Sequence, residues 1–236
     1  MDHAAFTRSD SLRQSLKRGL ARQAIARAER RQSDLAKLVS LARALRPNRK
    51  ALGRLAARLK RQPGVVHVGG MAEGMILTCI ARSVREVEAR VEGETIFRET
   101  GLIYMRMRIG VVDGRIGFQL NAVSFCCHAI ERLVERSAIP LDDALLDHMD
   151  EEAKAIFRFW NKSAHIVDDG DEFYPAATPG LWAGGHDEMD IDSGWGVTAR
   201  DKPIVPIFSA RTFLSPAEMR PTVWLRWKDD PSCRMI

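Results

Sequence analysis

The sequence predicts an α+β protein: a basic N-terminal helical arm followed by a small antiparallel sheet flanked by helices. Three observations carry that expectation. Charge changes sign at about residue 62, with 17 Lys and Arg against 4 Asp and Glu before it and 19 against 27 after it. Two runs with an apolar residue at every second position meet at Asp113-Gly114. Helical spacing of apolar residues then returns at Ser124. With 45% hydrophobic and 28% charged residues over 236 positions, the chain can build a packed core and is not globally disordered. The expected division is a basic helical arm over residues 1–62 and an α+β body over residues 63–236.

Residues 7–46 read as helix. Leu12, Leu16 and Leu20 recur every four positions, and Leu35, Leu38, Val39, Ala42 and Leu45 follow the i, i+3, i+4, i+7 pattern. Pro47-Asn48 breaks the run. A shorter helix follows with Leu52, Leu55, Ala56 and Leu59 on one face, and Gln62-Pro63-Gly64 ends it. The apolar face of this arm is narrow and rich in alanine, so it needs a partner surface to stay folded. Either an acidic or polyanionic partner or the chain's own acidic body could supply it.

Beyond residue 62 the period changes. Val65–Val68 is a strand closed by Gly69-Gly70, and Met75–Ala81 is an apolar run too short to assign to helix or strand. Ile103, Met105, Met107 and Ile109 alternate with Tyr104, Arg106 and Arg108. After Asp113-Gly114, Ile116, Phe118 and Leu120 alternate with Arg115, Gly117 and Gln119. Two such runs joined by Asp-Gly make a β-hairpin, because both residues tolerate the positive φ of a type I′ turn.

A helix is expected from Ser124 to Ser137, and a second from Pro140, with Asp142 and Asp143 in its first turn, to Trp160. Residues 161–196, rich in Gly, Pro and Asp and carrying Trp182 and Trp195, read as a long loop. Ile204–Phe208 and Arg211–Leu214 read as two strands. Ser215-Pro216-Ala217-Glu218 is a capping box with proline at N1, leading into a last helix with Trp224 and Trp227.

Several function classes are excluded at this level. No run approaches the length of a membrane-spanning helix, and the N-terminus lacks an apolar signal core. Four cysteines, two of them adjacent at Cys126-Cys127, make no disulfide framework, so a reducing, cytoplasmic setting is expected. Gly69-Gly70 and Gly184-Gly185 fit no phosphate loop, so no nucleotide cofactor is expected. His186-Asp187-Glu188 with Asp190 and Asp192 lacks metal-ligand spacing and reads as a solvated acidic loop, so no metal is expected. Cys126 and Cys127 at a helix start suit either a lowered thiol pKa or simple packing. Packing is preferred, because no third group is identifiable.

The chemistry-bearing candidates sit on the helix after the hairpin. His128, Arg132 and Arg136 are spaced i, i+4, i+8, which lines an imidazole and two guanidiniums along one face over about 12 Å. The string His128-Ala129-Ile130-Glu131-Arg132-Leu133-Val134-Glu135-Arg136 resembles the His-Ala-x-x-Arg-x-x-x-Arg signature of the RelE-like and BrnT-like toxin ribonucleases. Arg211-Thr212-Phe213 resembles the basic residue and Thr-aromatic pair near the end of such folds. The resemblance covers roughly residues 103–140 and, loosely, 204–227; it leaves out the basic arm.

That resemblance implies metal-independent RNA cleavage by attack of the ribose 2′-OH on the adjacent phosphate. His128 would be the general acid or base, and Arg132 and Arg211 would hold the phosphate. Arg136, Thr212, Arg106 and Arg108 would contact substrate, and a neutralising antitoxin or another acidic protein would be a partner. Purely structural pairing of Arg132 and Arg136 with nearby carboxylates is the competing reading of the motif. At the level of function the alternatives are a non-enzymatic nucleic-acid-binding or adaptor protein using the arm, and a secreted effector binding a host protein. The arm itself carries Arg27, Arg30, Arg43, Arg49, Arg54 and Arg58 with almost no aromatic residue, which favours phosphate contacts over base stacking.

Overall fold

The computed structural model describes residues 3–45, 48–70, 76–91, 94–112, 115–141, 144–162, 164–192, 194 and 204–229. The chain opens with α1 (His3–Glu29), α2 (Leu35–Arg43) and α3 (Arg49–Leu59). Four strands follow: β1 (Val65–Gly70), β2 (Leu77–Val91), β3 (Glu94–Val112) and β4 (Arg115–Cys126). Then come α4 (Cys127–Arg136) and α5 (Leu145–Asn161). The chain closes with β5 (Ile166–Asp168), β6 (Asp171–Pro175), β7 (Leu181–Asp190), β8 (Ile204–Leu214) and α6 (Pro221–Asp229).

All eight strands join one sheet in the order β1-β2-β3-β4-β8-β7-β6-β5. Every neighbouring pair is antiparallel except β4 and β8, which run parallel through Ala122–Phe125 and Ile207–Ala210. The sheet is therefore two four-strand meanders joined side by side. This corrects the expected small antiparallel sheet: it is large and mixed. The difference comes from residues 161–196, where the expected loop is largely β5, β6 and β7. Glycine there serves strand packing. A Cβ on Gly184 would sit 2.1 Å from the Ser209 carbonyl oxygen and 2.8 Å from Phe208 Cζ, so only glycine lets β7 approach β8 at that point. Trp195 lies outside the described residues, as does Met75.

Helices cover both faces of the sheet. On one face α1, α4 and α5 bury Tyr104, Phe125, Trp182, Phe208 and Phe213. Phe125 and Trp182 meet edge-on with ring centroids 4.7 Å apart. Burying each such ring contributes on the order of 1.5–3 kcal/mol. On the other face Leu35, Leu38, Val39, Leu52, Leu55 and Leu59 of α2 and α3 pack on Leu77, Met105, Met107 and Ile109. The period-2 alternation of β3 sorts its residues between these two cores. A smaller cluster under α6 holds Ile166, Phe173, Leu181, Met219 and Val223.

The hairpin expectation meets β3 and β4, which pair antiparallel down to Val112 opposite Arg115. Asp113 and Gly114 themselves lie outside the described residues. The helix expected over 7–46 is two helices. Ser33 donates through its backbone N–H and its hydroxyl to the Arg82 carbonyl, both at 2.9 Å, and Asp34 caps α2 by accepting from the Lys37 N–H at 3.0 Å. The helix expected from Ser124 starts at Cys127, because Ser124–Cys126 still belong to β4. The next starts at Leu145, where Ala144 stands at the N-cap; Asp142 and Asp143 lie outside the described residues. The two strands expected over 204–214 are one. The capping box at Ser215 is present, with the Glu218 carboxylate accepting from the Ser215 N–H at 3.1 Å and Pro216 at N1.

The basic arm rests on the chain itself. Ala21, Ala24, Ile25 and Ala28 of α1 belong to the same core as α4 and α5. Arg13 donates to the Val134 and Ile139 carbonyls at 3.3 and 2.9 Å, while Lys17 pairs with Glu135 at 2.9 Å and Arg18 with Glu131 at 3.4 Å. For α1 the partner surface that its narrow apolar face requires is α4 and its acidic side chains.

Candidate nucleic-acid interface

The outer surface of α2 and α3 is strongly basic. Residues 35–62 contain nine Lys and Arg and no Asp or Glu. Both helices are amphipathic by spacing: Leu35, Leu38, Val39 and Ala42 turn inward on α2, and Ala51, Leu52, Leu55 and Leu59 on α3. The cations therefore fall on the solvent side. Lys37 and Arg43 on α2, Arg49, Lys50, Arg54 and Arg58 on α3, and Lys60 and Arg61 just beyond it are all exposed. No ion pair ties any of these eight to a carboxylate among the described residues.

The α3 helix begins cleanly because Asn48 caps it, its side chain accepting from the Ala51 N–H at 2.8 Å. Eleven residues give it a length of about 16 Å, along which Arg54 and Arg58 stand one turn apart, with Arg61 just beyond its end. Burial, and then the charges of Lys154 and Lys60, hold His67 on β1 below its ordinary pKa. Loose cations on a rigid helical face attract a polyanion and release its counterions.

The motif helix is arranged differently. His128 is exposed near the start of α4, and the Arg132 Nε–H donates to its Nε2 at 3.3 Å. Arg132 also pairs with Glu135 at 2.7 Å. Burial alone would raise the Glu135 carboxyl, but hydrogen bonds from Lys17, Gln14 and Arg132 outweigh it and bring its pKa down to about 2. Arg136 donates to the Phe213 carbonyl at 2.8 Å, approaches the Thr212 hydroxyl at 3.5 Å and pairs with Glu218 at 2.8 Å. The structure thus brings His128 to Arg132 and Arg136 to Thr212, and it fastens both arginines to carboxylates.

Arg211 and Thr212 line a separate cleft of about 350 Å³, which His128 does not line. Arg106 is buried at 4% exposure. It donates to Asn121 Oδ1 and the Phe157 carbonyl, both at 2.8 Å, with its guanidinium 4.8 Å from the Phe157 ring centroid. Burial and the neighbouring Arg108 lower its pKa to about 10. From this buried position it ties β3, β4 and α5 together. Arg108 donates to Gln119 across the hairpin at 3.2 Å.

The cysteines follow the packing reading. Burial pushes the Cys126 thiol up to about 12 and the Cys127 thiol up to about 11, the reverse of an activated thiolate. His186, which the sequence places in an acidic loop, stands on a strand. Its Nδ1 meets the Glu172 carboxylate and its Nε2 lies 3.1 Å from the Tyr174 hydroxyl, while Trp160 packs edge-on against the ring at 4.9 Å. Neither this chain of groups nor the cleft beside Arg211 is visible in the sequence, since both depend on the pairing of β6, β7 and β8. Among the described residues no helix is long and apolar enough to cross a membrane.

No protein-family model, curated protein or solved structure matches the chain.

Proposed function

We propose that this protein binds double-stranded nucleic acid, without sequence preference, through the outer face of α2 and α3. The observation that carries this reading is the set of eight exposed lysines and arginines on and just beyond two well-capped helices, none of them in an ion pair among the described residues. Such groups gain from phosphate contacts and do not first have to break an ion pair. The absence of aromatic side chains from residues 35–62 supports a duplex backbone over stacked single strands.

The test is fluorescence anisotropy with labelled RNA and DNA duplexes, titrated over a range of salt, using the full chain and an Arg54→Gln/Arg58→Gln/Arg61→Gln variant. Each lost phosphate contact should flatten the plot of log affinity against log salt by roughly 0.9, so the triple variant should lose about 2 to 3 from the slope. Because all three side chains are exposed, its denaturation midpoint should match the wild type. Equal affinity of the two proteins, or no duplex binding by the wild type, sinks the reading.

A second reading, the toxin-like endoribonuclease, is favoured by one observation: His128 and Arg132 meet on an exposed helix face. Incubating total RNA with the wild type and with His128→Ala separates the two. Cleavage abolished by the substitution supports the enzyme; intact RNA with retained duplex binding supports the binding protein.

A further inference from the structure

We infer that the cleft between β6, β7, β8 and α6 is a binding site for a small monocarboxylate with an apolar body. It is independent of the basic helical face. At about 350 Å³ it lies at the lower end of the range for small-molecule sites. Its floor is apolar, made by Phe173, Ala183, Leu214 and Val223.

Arg211 joins the lining at a β-bulge. Ala183 pairs with Thr212 while Gly184 pairs with Ala210, so Arg211 is the extra residue on β8. Bulges re-aim side chains in this way. The guanidinium passes over the second glycine of β7: a Cβ on Gly185 would lie 3.4 Å from an Arg211 Nη. Gly184 and Gly185 thus admit both the bulge and the arginine it presents. No carboxylate among the described residues pairs with Arg211.

The other charges of the cleft are already matched. Arg220 reaches Asp168, Asp169 and Asp171 at 3.8, 3.6 and 3.0 Å. Glu218 is held by Arg136 at 2.8 Å and by the Ser215 hydroxyl at 2.8 Å. Among the described residues of the lining, Arg211 is the cation left over, beside apolar side chains. A single negative charge satisfies it, and a planar carboxylate matches the guanidinium fork with two parallel hydrogen bonds. A phosphate dianion fits worse, because its second charge finds no further unpaired cation among the described lining residues.

The experiment is isothermal titration of the full chain with phenylbutyrate, phenylbutanol, phenylbutylamine and phenylbutyl phosphate. These probes share an apolar body and differ only in the head group. Phenylbutyrate should bind at least tenfold more tightly than the other three. Arg211→Gln, at an exposed position, should bring the acid down to the affinity of the alcohol and leave the alcohol unchanged. Ala183→Phe, which fills the trough, should abolish binding of both. Equal binding of acid and alcohol, tighter binding of the phosphate, an Arg211→Gln variant that binds the acid normally, or no binding of the acid at millimolar concentration would each overturn the assignment.

Discussion

The phenol of Tyr104 donates to the Asp150 carboxylate at 2.8 Å, and this bond fastens the centre of β3 to α5. Asp150 also receives the guanidinium of Arg82 on β2, with Nη1 2.6 Å from Oδ2. Arg82 is only 6% exposed, so the carboxylate is what makes a buried charge tolerable there. Asp150→Ala should therefore cost about 3–5 kcal/mol, because it strands that charge. Tyr104→Phe removes one neutral donor and should cost roughly 1–3 kcal/mol. Replacing both partners, as in Asp150→Ala/Arg82→Met, should recover part of the loss. Urea denaturation gives all three values, and a double variant less stable than Asp150→Ala would contradict the account.

Glu152 is buried at 1% exposure, and it is saturated with donors. The Ala177 and Thr178 N–H groups and the Trp182 indole N–H all reach it at 2.8 Å, and the Thr178 hydroxyl at 2.6 Å. The side chain fixes the turn between β6 and β7 and orients the central tryptophan. Glu152→Ala should destabilise by about 3 kcal/mol or more, since four donors lose their acceptor at once. The exposed Glu188→Ala should stay within about 0.5 kcal/mol of the wild type. Tryptophan fluorescence during urea unfolding reads both, and similar midpoints for the two variants would refute the structural role of Glu152.

What is legible in the sequence and what is hidden follow one physical division. Local signals are legible: the alternation of β3 and β4, the inward leucines of α2 and α3, the capping box at Ser215. The same local logic extends to a turn that composition obscures. Asp169 and Gly170 have φ of 52° and 81° and join paired Asp168 and Asp171, which makes them an Asp-Gly hairpin turn of the expected kind. It escapes a reading of the sequence because the flanking β5 is only three residues long and shows no alternation. The parallel join of β4 to β8 has no local signal at all, since neighbour choice among strands is a property of the whole chain. Arg106 shows the same limit. Alternation places it on the face opposite Met105 and Met107, but does not reveal that α5 covers this face too. For the motif helix, i, i+4 spacing brings His128 to Arg132, whereas the partners of Arg136 come from β8 and the capping box at Ser215.

Two glycines should respond in opposite directions to the same substitution. Gly19 lies inside α1 with nothing within 4 Å of the point a Cβ would occupy, so Gly19→Ala should stabilise by about 0.5–1 kcal/mol through the unfolded chain's lost freedom. At Gly184 the added methyl would overlap the Ser209 carbonyl, a backbone atom that cannot swing aside. Gly184→Ala should cost roughly 1–3 kcal/mol, the range for overpacking. Thermal melts of both variants check the pair. An unchanged Gly184→Ala melt would mean that β7 and β8 are not held this closely.

Acid should weaken the hold of α4 on α1. The Glu135 carboxyl has a pKa near 2 in the folded chain against an ordinary 4.5, held there by Lys17, Gln14 and Arg132. A carboxyl depressed in the folded state stabilises it fully above its unfolded pKa, and that stability is lost as protons bind. The window therefore runs downward from about pH 4.5 to about pH 2. Over it the wild type should lose stability relative to Glu135→Gln, whose amide does not titrate. Above pH 6 the wild type should be the more stable of the two by a constant margin, as expected once the carboxyl is ionised in both states, at roughly two units above an ordinary carboxylate pKa. Urea midpoints of the two proteins across this pH range read the difference directly. A difference that stays flat down to the bottom of the window would show that Glu135 does not hold α1 in place.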